Sequence, residues 1–315
     1  MSSLNQALRA ALDARQQLIS ELHAQGTDCY RLFHGSQEGA GGLTLDRYGP
    51  QLLVQSFHQT LERDTLLALH ATVEQTLGLP LLLVYNDRSQ GNSRIDRRDP
   101  VYQASEAALA DLVAHEWGLN YRVRGRHAGQ DPLLFLDLRA ARGWVKQHSA
   151  GKRVLNLFAY TCGFSVAALA GGARQVVNLD MARAALSRGR DNHRLNQHDL
   201  SQVVFLGHDL FKSWGKVGKY GPYDLIIVDP PSFQRGSFVL SKDYPKVLRR
   251  LPELLSADGV VLACSNEPEI GPDYLIQAMA HEAPGLRFSE RLDNPPEFPD
   301  SQPDSALKAL VFRRN

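Results

Sequence analysis

Three acidic residues of this 315-residue chain stand where an apolar run stops: Asp180 after QVVNL, Asp209 after VVFLGH and Asp229 after YDLIIV. Ligands of open α/β sheets gather at the carboxyl ends of the strands, so these ends are where chemistry is expected. A carboxylate closing the strand after the first crossover accepts from both hydroxyls of a ribose, the role expected of Asp180. Asp209 closes the next strand, where it would accept from the amino group of an adenine. Each Asp taken singly has an ordinary alternative as a helix cap, and it is the ordered series that carries the reading. Asp229 is followed by Pro230 and Pro231, whose fixed φ aims the carboxylate and the rigid backbone at one place. Between the first strand and its helix lies NLFAYTCGFS, starting at Asn156. A nicotinamide enzyme would carry GxGxxG in that turn; only Gly163 is present, which argues against hydride chemistry.

The elements that position these residues follow from hydrophobic period. Residues 3–24 space Leu and Ala three and four apart and predict one amphipathic helix. From Cys29 the pattern gives strands about a Tyr48-Gly49-Pro50 turn, a helix over 63–78 and a strand at LPLLLVYND, a small α+β unit. Residues 87–111 read as irregular and polar, and EWGLNYRVRGR predicts a hairpin turning near Gly118. Beyond His127, helix and unbroken apolar strand alternate: helices over 138–148, 164–171, 182–196, 243–255 and 272–282 separate runs such as RVLNLFAY, QVVNLD, YDLIIVDPP and GVVLACSN. Strands apolar on both faces, joined by helices, imply a doubly wound, Rossmann-like parallel sheet. The last residues, EFPDSQPDSALKALVFRRN, would supply one or two more strands. The expected organisation is an N-terminal helix (1–28), a small α+β domain (29–118) and a larger α/β domain (119–315).

Composition excludes several classes. The chain is 43% hydrophobic and 22% charged and has no uninterrupted apolar run of about 18 residues, so a membrane-spanning helix is not expected. Cys29, Cys162 and Cys264 are too scattered for a zinc site, no metal is expected, and a reducing cytoplasm is the simplest compartment. The net charge is only +1, yet 27 of the 35 basic residues are Arg, the side chain that grips phosphate or a guanine edge bidentately.

NLFAYTCGFS, with FLDLRAARGW before it and DPPSF after it, resembles the family of class I S-adenosylmethionine-dependent methyltransferases that modify large-subunit ribosomal RNA at cytosine C5 or guanine N7. The resemblance runs from about residue 29 to the C-terminus and includes the small domain that precedes the catalytic one, which implies that the small domain (29–118) binds RNA. It implies S-adenosyl-L-methionine as cofactor and ribosomal RNA as partner. The loop residues Asn156, Phe158, Tyr160, Thr161, Cys162 and Gly163 would wrap the methionine part, Asp180 the ribose and Asp209 the adenine. Phe135, Asp137 and Arg139 resemble a further cofactor-contacting stretch, with Arg139 a candidate for the cofactor carboxylate. Two departures stand out. The 28-residue lead-in is too short for the PUA domain that opens many members. Cys162 stands where the family usually has Gly, which predicts a turn without positive φ at that position and a small loop residue rather than a catalytic thiol.

The target atom is read from two motifs. Asp229, Pro230 and Pro231 border the base site. Methylation at cytosine C5 needs a cysteine nucleophile, which family members carry in a segment resembling TFSCS; here it reads LACSNEP, and Asn266 takes the cysteine's place. Guanine N7 already offers a lone pair and needs only positioning, with Asn266 bonding the base edge and Asp229 accepting from N1–H or the amino group. Guanine N7 is therefore the first expectation, cytosine C5 through Cys264 the second, and an exocyclic amine such as adenine N6 the third. A non-catalytic RNA-binding factor with this fold and a small-molecule methyltransferase are the rivals from other classes. RNA is expected along Arg94, Arg97 and Arg98 and along Arg122, Arg124 and Arg126, the latter on one strand face, with Phe233 or Tyr244 stacking on a flipped base.

Overall fold

The apolar runs beyond residue 137 come together in one seven-stranded sheet, with order β9-β8-β7-β10-β13-β15-β14. Its elements are α4 (Arg139–His148), β7 (Arg153–Leu157), α5 (Gly163–Ala170), β8 (Gln175–Asp180), α6 (Arg183–Leu195), β9 (Val203–Gly207), α7 (Trp214–Gly218), β10 (Tyr223–Val228), a short ribbon of β11 (Phe233–Gln234) and β12 (Phe238–Val239), α8 (Leu240–Leu248), α9 (Leu251–Leu254), β13 (Leu255–Ser265), α10 (Pro272–Glu282), β14 (Leu286–Leu292) and β15 (Lys308–Arg314). This is a computed structural model, and it describes residues 3–89, 110–125, 131–234, 237–299 and 302–314. Among the described residues, no helix is long and apolar enough to cross a membrane.

Strands β7, β8, β9, β10 and β13 are parallel, and β15 runs antiparallel between β13 and β14. Leu155, Leu157, Ile226, Val228 and Val261 bury one face against Tyr244, Val247, Leu275 and Met279. Val154, Leu225, Ile227 and Leu262 bury the other against Trp144, Val145, Phe164 and Ala168. Burial on both sides is why these strands read as unbroken apolar runs. From β7 the chain winds outward through β8 to β9, and β10 lies on the other flank of β7. The carboxyl ends of β7 and β10 therefore form the crevice where ligands of doubly wound sheets bind.

The helix predicted over 243–255 is α8 and α9, and Leu255 already begins β13. Strand β14 gave no apolar signal because it is the sheet edge, where Arg287, Phe288, Ser289 and Glu290 are exposed and only Leu286 is buried.

The chain divides into two units, Met1–Leu136 with Pro295–Ser301, and Asp137–Asn294 with Gln302–Asn315. In the first unit, β1 (Cys29–His34), β2 (Leu43–Tyr48) and β3 (Gln51–Ser56) are antiparallel, and α3 (Arg63–Leu77) crosses to β4 (Leu82–Asp87), parallel to β3. The single helix expected over 3–24 is instead α1 (Ser3–Ala14) and α2 (Gln16–Ala24), broken at Arg15, where ψ is 1°. The Arg15 guanidinium turns back to the Ala11 carbonyl at 3.2 Å and pairs with Glu38 at 2.5 Å. Leu8, Leu12, Ile19 and Leu22 pack with Tyr30, Leu32, Phe33 and Val54, so the lead-in shares the core of this unit. The boundary expected at 118/119 falls inside a hairpin of β5 (Leu112–Glu116) and β6 (Leu119–Val123), whose turn residues Trp117 and Gly118 both have positive φ, at 51° and 72°. The division lies at 136/137 because this ladder stays with the first unit. The excursion at 295–301 is held there too: the Arg31 guanidinium, paired with Asp46 at 2.7 Å, lies 4.3 Å from the Phe298 ring centroid.

Candidate active site

The turn from β7 into α5 places three side-chain-bearing residues in the left-handed region: Phe158 (φ 58°), Tyr160 (φ 46°) and Cys162 (φ 64°). The expectation of a turn without positive φ at Cys162 is therefore corrected. Three backbone bonds set the path: Ala159 N–H donates to Leu179 at 3.1 Å, Cys162 N–H to Ala159 at 2.7 Å, and Val166 N–H to Cys162 at 3.0 Å. Left-handed backbone costs a non-glycine residue roughly 1–2 kcal/mol, and it persists only where the surroundings hold it. At Cys162 the surroundings include Gly189 of α6. A Cβ built on Gly189 would overlap Cys162 Sγ and lie 2.8 Å from its Cβ, so the missing side chain on the helix makes room for the one on the loop. Cys162 is fully buried, and burial, reinforced by Asp180, holds its thiol neutral far above the ordinary thiol range.

Asp180, at the end of β8, holds this turn. Its Oδ2 accepts from Tyr160 N–H at 2.8 Å and its Oδ1 from Ala182 N–H at 2.7 Å. Burial raises its carboxyl above the usual range, against the pull of those two bonds. Asn192 of α6 donates to the Thr161 carbonyl at 2.9 Å. Met181, next to Asp180, is an exposed apolar side chain that the sequence pattern does not mark.

Asn156 belongs to a different layer. It is 1% exposed, and its amide donates to Asn178 Oδ1 at 3.0 Å; Asn178 donates to Ser165 Oγ at 3.0 Å, Ser165 Oγ meets His193 Nε2 at 2.9 Å, and His193 Nδ1 meets His198 Nδ1 at 3.0 Å. Burial, then the neighbouring His198, pushes His193 down to about 3. This polar chain underlies α5, the helix that starts from the left-handed loop. Its signal was legible: Asn156 and Asn178 interrupt two apolar strands and pair directly in register.

Asp209 caps a short 3₁₀ turn, accepting from Phe211 N–H at 2.9 Å, with Lys212 Nζ 3.5 Å from its other oxygen. The ordinary helix-cap alternative is thus present at this position, one strand beyond Asp180.

Asp229 follows the last residue of β10. Burial pushes its carboxyl up to about 7, nearby Asp137 adds to the rise, and Arg142 opposes it. Arg142, on α4, is 2% exposed and is not among the residues expected from sequence; Arg139, one turn earlier, is buried as well. The periodicity of FLDLRAARGW could have revealed Arg142, because it falls on the apolar face shared by Ala141 and Val145. Beyond the neighbouring ends of β10 and β13, Ser232 Oγ donates to Asn266 Oδ1 at 2.8 Å, which joins the DPPS and CSN motifs. Pro230 is buried and Pro231 half-buried between them. Cys264 is fully buried in the apolar layer with Val154, Leu225, Ile227 and Val311, and burial, then Asp229 and Asp137, holds its thiol well above the usual range. Tyr244 is not available to stack on a base: it is core, its hydroxyl donating to Cys264 at 2.9 Å and Val228 at 3.2 Å.

Phe233 is 68% exposed on the β11–β12 ribbon, opposite Val239. Phe135 is exposed and belongs to the first unit, whose main stretch ends at Leu136, while Asp137 opens the second. Arg122 lies on β6, which ends at Val123, and Arg124, just beyond it, pairs with Asp111 at 2.8 Å. Arg94, Arg97, Arg98 and Arg126 lie outside the described residues.

Comparison with known proteins adds an independent line. The chain is 34% identical over 251 residues to ribosomal RNA large subunit methyltransferase I of Salmonella enteritidis, covering 76% of this chain and 60% of that protein. It is 30% identical to YwbD of Bacillus subtilis, covering 84% of this chain and 66% of YwbD. The chain thus spans about 60% of the length of the first of these relatives. The crystal structure of SMU.776 complexed with SAH superposes with a TM-score of 0.83 at 26% identity, covering 98% of this chain and 80% of that one. A family model described as S-adenosylmethionine-dependent methyltransferase matches residues 30–313, nearly the whole length on which both units are built. The left-handed loop above α5 and the acidic strand ends therefore sit in a chain that belongs to the S-adenosylmethionine-dependent methyltransferase family.

Proposed function

We propose that this protein transfers a methyl group to N7 of a guanine in large-subunit ribosomal RNA. The observation that carries the reading is the Ser232–Asn266 hydrogen bond beside Asp229, with Cys264 turned into the core. The donor set suits the cofactor. Asp180 keeps lone pairs for a ribose diol, the carboxylates of Asp180 and Asp229 suit a cation, and the exposed Met181 offers an apolar face to a base. S-adenosyl-L-methionine, when bound, supplies an electrophilic methyl group.

The residues of this chain then need only present a lone pair to it. Guanine N7 requires no covalent adduct, so the protein's task is orientation and charge accommodation. Asn266 bonds the base edge, Asp229 in its ionised form accepts from N1–H or the 2-amino group, and Phe233 provides an exposed aromatic face for stacking. A cytosine C5 reaction would require a thiolate at Cys264, and a fully buried thiol in apolar surroundings is inert. Arg122 and Arg124, which lie in the first unit but beyond the domain (29–118) expected to bind RNA, are assigned to the RNA backbone.

The experiment is to incubate the protein with S-adenosylmethionine and ribosomal RNA from cells lacking it, then map the product. Borohydride and aniline should cleave the large-subunit RNA at one guanine. Detection of 5-methylcytosine, or a covalent complex with 5-fluorocytosine RNA that Cys264→Ala abolishes, would overturn the N7 assignment. Intact RNA binding without calorimetric affinity for S-adenosylmethionine would overturn the enzyme reading itself.

A further inference from the structure

Lys308 is completely buried, although it stands at the start of β15 between Leu307 and Ala309, where an apolar side chain would fit the layer. Lysine is almost never fully buried unless something inside the protein uses its charge or its N–H groups. Here the ammonium donates to the main-chain carbonyl of Glu267 at 2.6 Å. The same residue is the antiparallel partner of Ser265, the last residue of β13. Ser265 and Glu267 flank Asn266, and Ser265 Oγ accepts from Glu267 N–H at 3.3 Å across the same turn. Lys308 thus holds both shoulders of the turn whose apex side chain meets Ser232.

We infer that Lys308 is a positioning residue for methyl transfer: by fixing the main chain on both sides of Asn266, it sets where that amide meets the target base. The inference rests on the proposed reading of Asn266 and Asp229 as the base site. A backbone carbonyl is a fixed acceptor, so this contact specifies one turn conformation rather than a surface charge balance. Burial lowers the tendency of Lys308 to hold its proton, as does nearby Arg291, whereas Glu267 and Asp304 oppose both. An ammonium kept under those conditions is used for its directional donors, since neutral Met would fill the same space without the desolvation. The turn lies beyond the carboxyl end of β13, on the base side of the crevice, while the cofactor-type loop lies beyond β7, so a defect at Lys308 should separate base positioning from cofactor binding.

The test compares the full chain with Lys308→Met, Lys308→Gln and Asn266→Ala. It measures kcat and KM on ribosomal RNA from cells lacking the protein, and Kd for S-adenosylhomocysteine by calorimetry. Lys308→Met should lower kcat at least tenfold while the Kd stays within twofold of the parent. Lys308→Gln, which can still donate to the Glu267 carbonyl, should recover part of that loss. An unchanged kcat in Lys308→Met, or a Kd that weakens in step with kcat, overturns the inference. Should Lys308→Met fail to fold, Lys308→Ala, which likewise lacks the donor, decides: a kcat at least threefold down with unchanged Kd supports the inference, and parent-like kcat overturns it. Full activity in Asn266→Ala would remove the base-site reading and this inference with it, whereas an inactive Asn266→Ala beside a fully active Lys308→Met removes this inference alone.

Discussion

The Cys162 side chain occupies the space that a side chain at Gly189 would fill. The two positions, one in the loop after β7 and one inside α6, are a complementary pair: the loop carries the volume and the helix lacks it. Gly189→Ala should therefore destabilise the protein by roughly 1–3 kcal/mol through overpacking, despite the better helix propensity of Ala. Adding Cys162→Gly should restore most of that loss, because it frees the space and relieves the left-handed backbone. Urea denaturation of the parent, both single variants and the double variant measures the coupling. Additivity within about 0.5 kcal/mol would show that the two residues do not interact.

Asp229 makes the ligand-free protein less stable as pH rises. Its folded-state value of about 7 lies above the unfolded carboxylate value of 3.8, so between those pH values the folded state binds more protons. From pH 4 to pH 7 stability should fall by a few kcal/mol, with a slope on the order of 1.4 kcal/mol per pH unit at most. Asp229→Asn should flatten that decline in chemical melts. If the ionised form receives the base, kcat/KM should rise with pH through an apparent value near 7, and a pH-independent rate between 6 and 8 would exclude that role.

His193 acts in the opposite sense. Its folded value of about 3 lies below the unfolded 6.5, so stability is fully present above pH 6.5 and is lost as pH falls toward 3. Removing a link of the chain it belongs to should leave buried partners unsatisfied: Asn178→Leu should lower stability by roughly 1–3 kcal/mol, read by urea denaturation at pH 7. A loss below 0.5 kcal/mol would mean that water replaces the amide.

RNA binding by the first unit should depend on salt through few arginines. Arg122→Ala should reduce the slope of log affinity against log salt by about 0.7, the value for one lost phosphate contact on a single strand. Arg124 is paired with Asp111, so Arg124→Ala should change the slope less. Equal slopes for the parent and both variants, measured by fluorescence anisotropy from 50 to 200 mM salt, would take these residues out of the RNA interface.

What the sequence determined by itself was whatever period and composition encode. Unbroken apolar runs predicted a sheet buried on both faces, alternating helices predicted its winding, and three of those runs end in or just before an acidic residue, Asp180 on β8, Asp209 after β9 and Asp229 after β10. These signals are local, because each strand must bury its own faces whatever lies beside it. The tertiary structure alone decided how the marked residues are held. Cys162 takes positive φ because Gly189, 27 positions later, leaves room for its thiol. Asn156 turns to Asn178 because β7 and β8 align those two positions. Cys264 faces the core while Asn266, two residues on, reaches Ser232 because β13 ends between them. The charge on Lys308 becomes useful only when β15 lies against β13. Each is a pairing of residues distant in sequence, and a linear pattern records which side chains must be buried without recording which neighbour they meet.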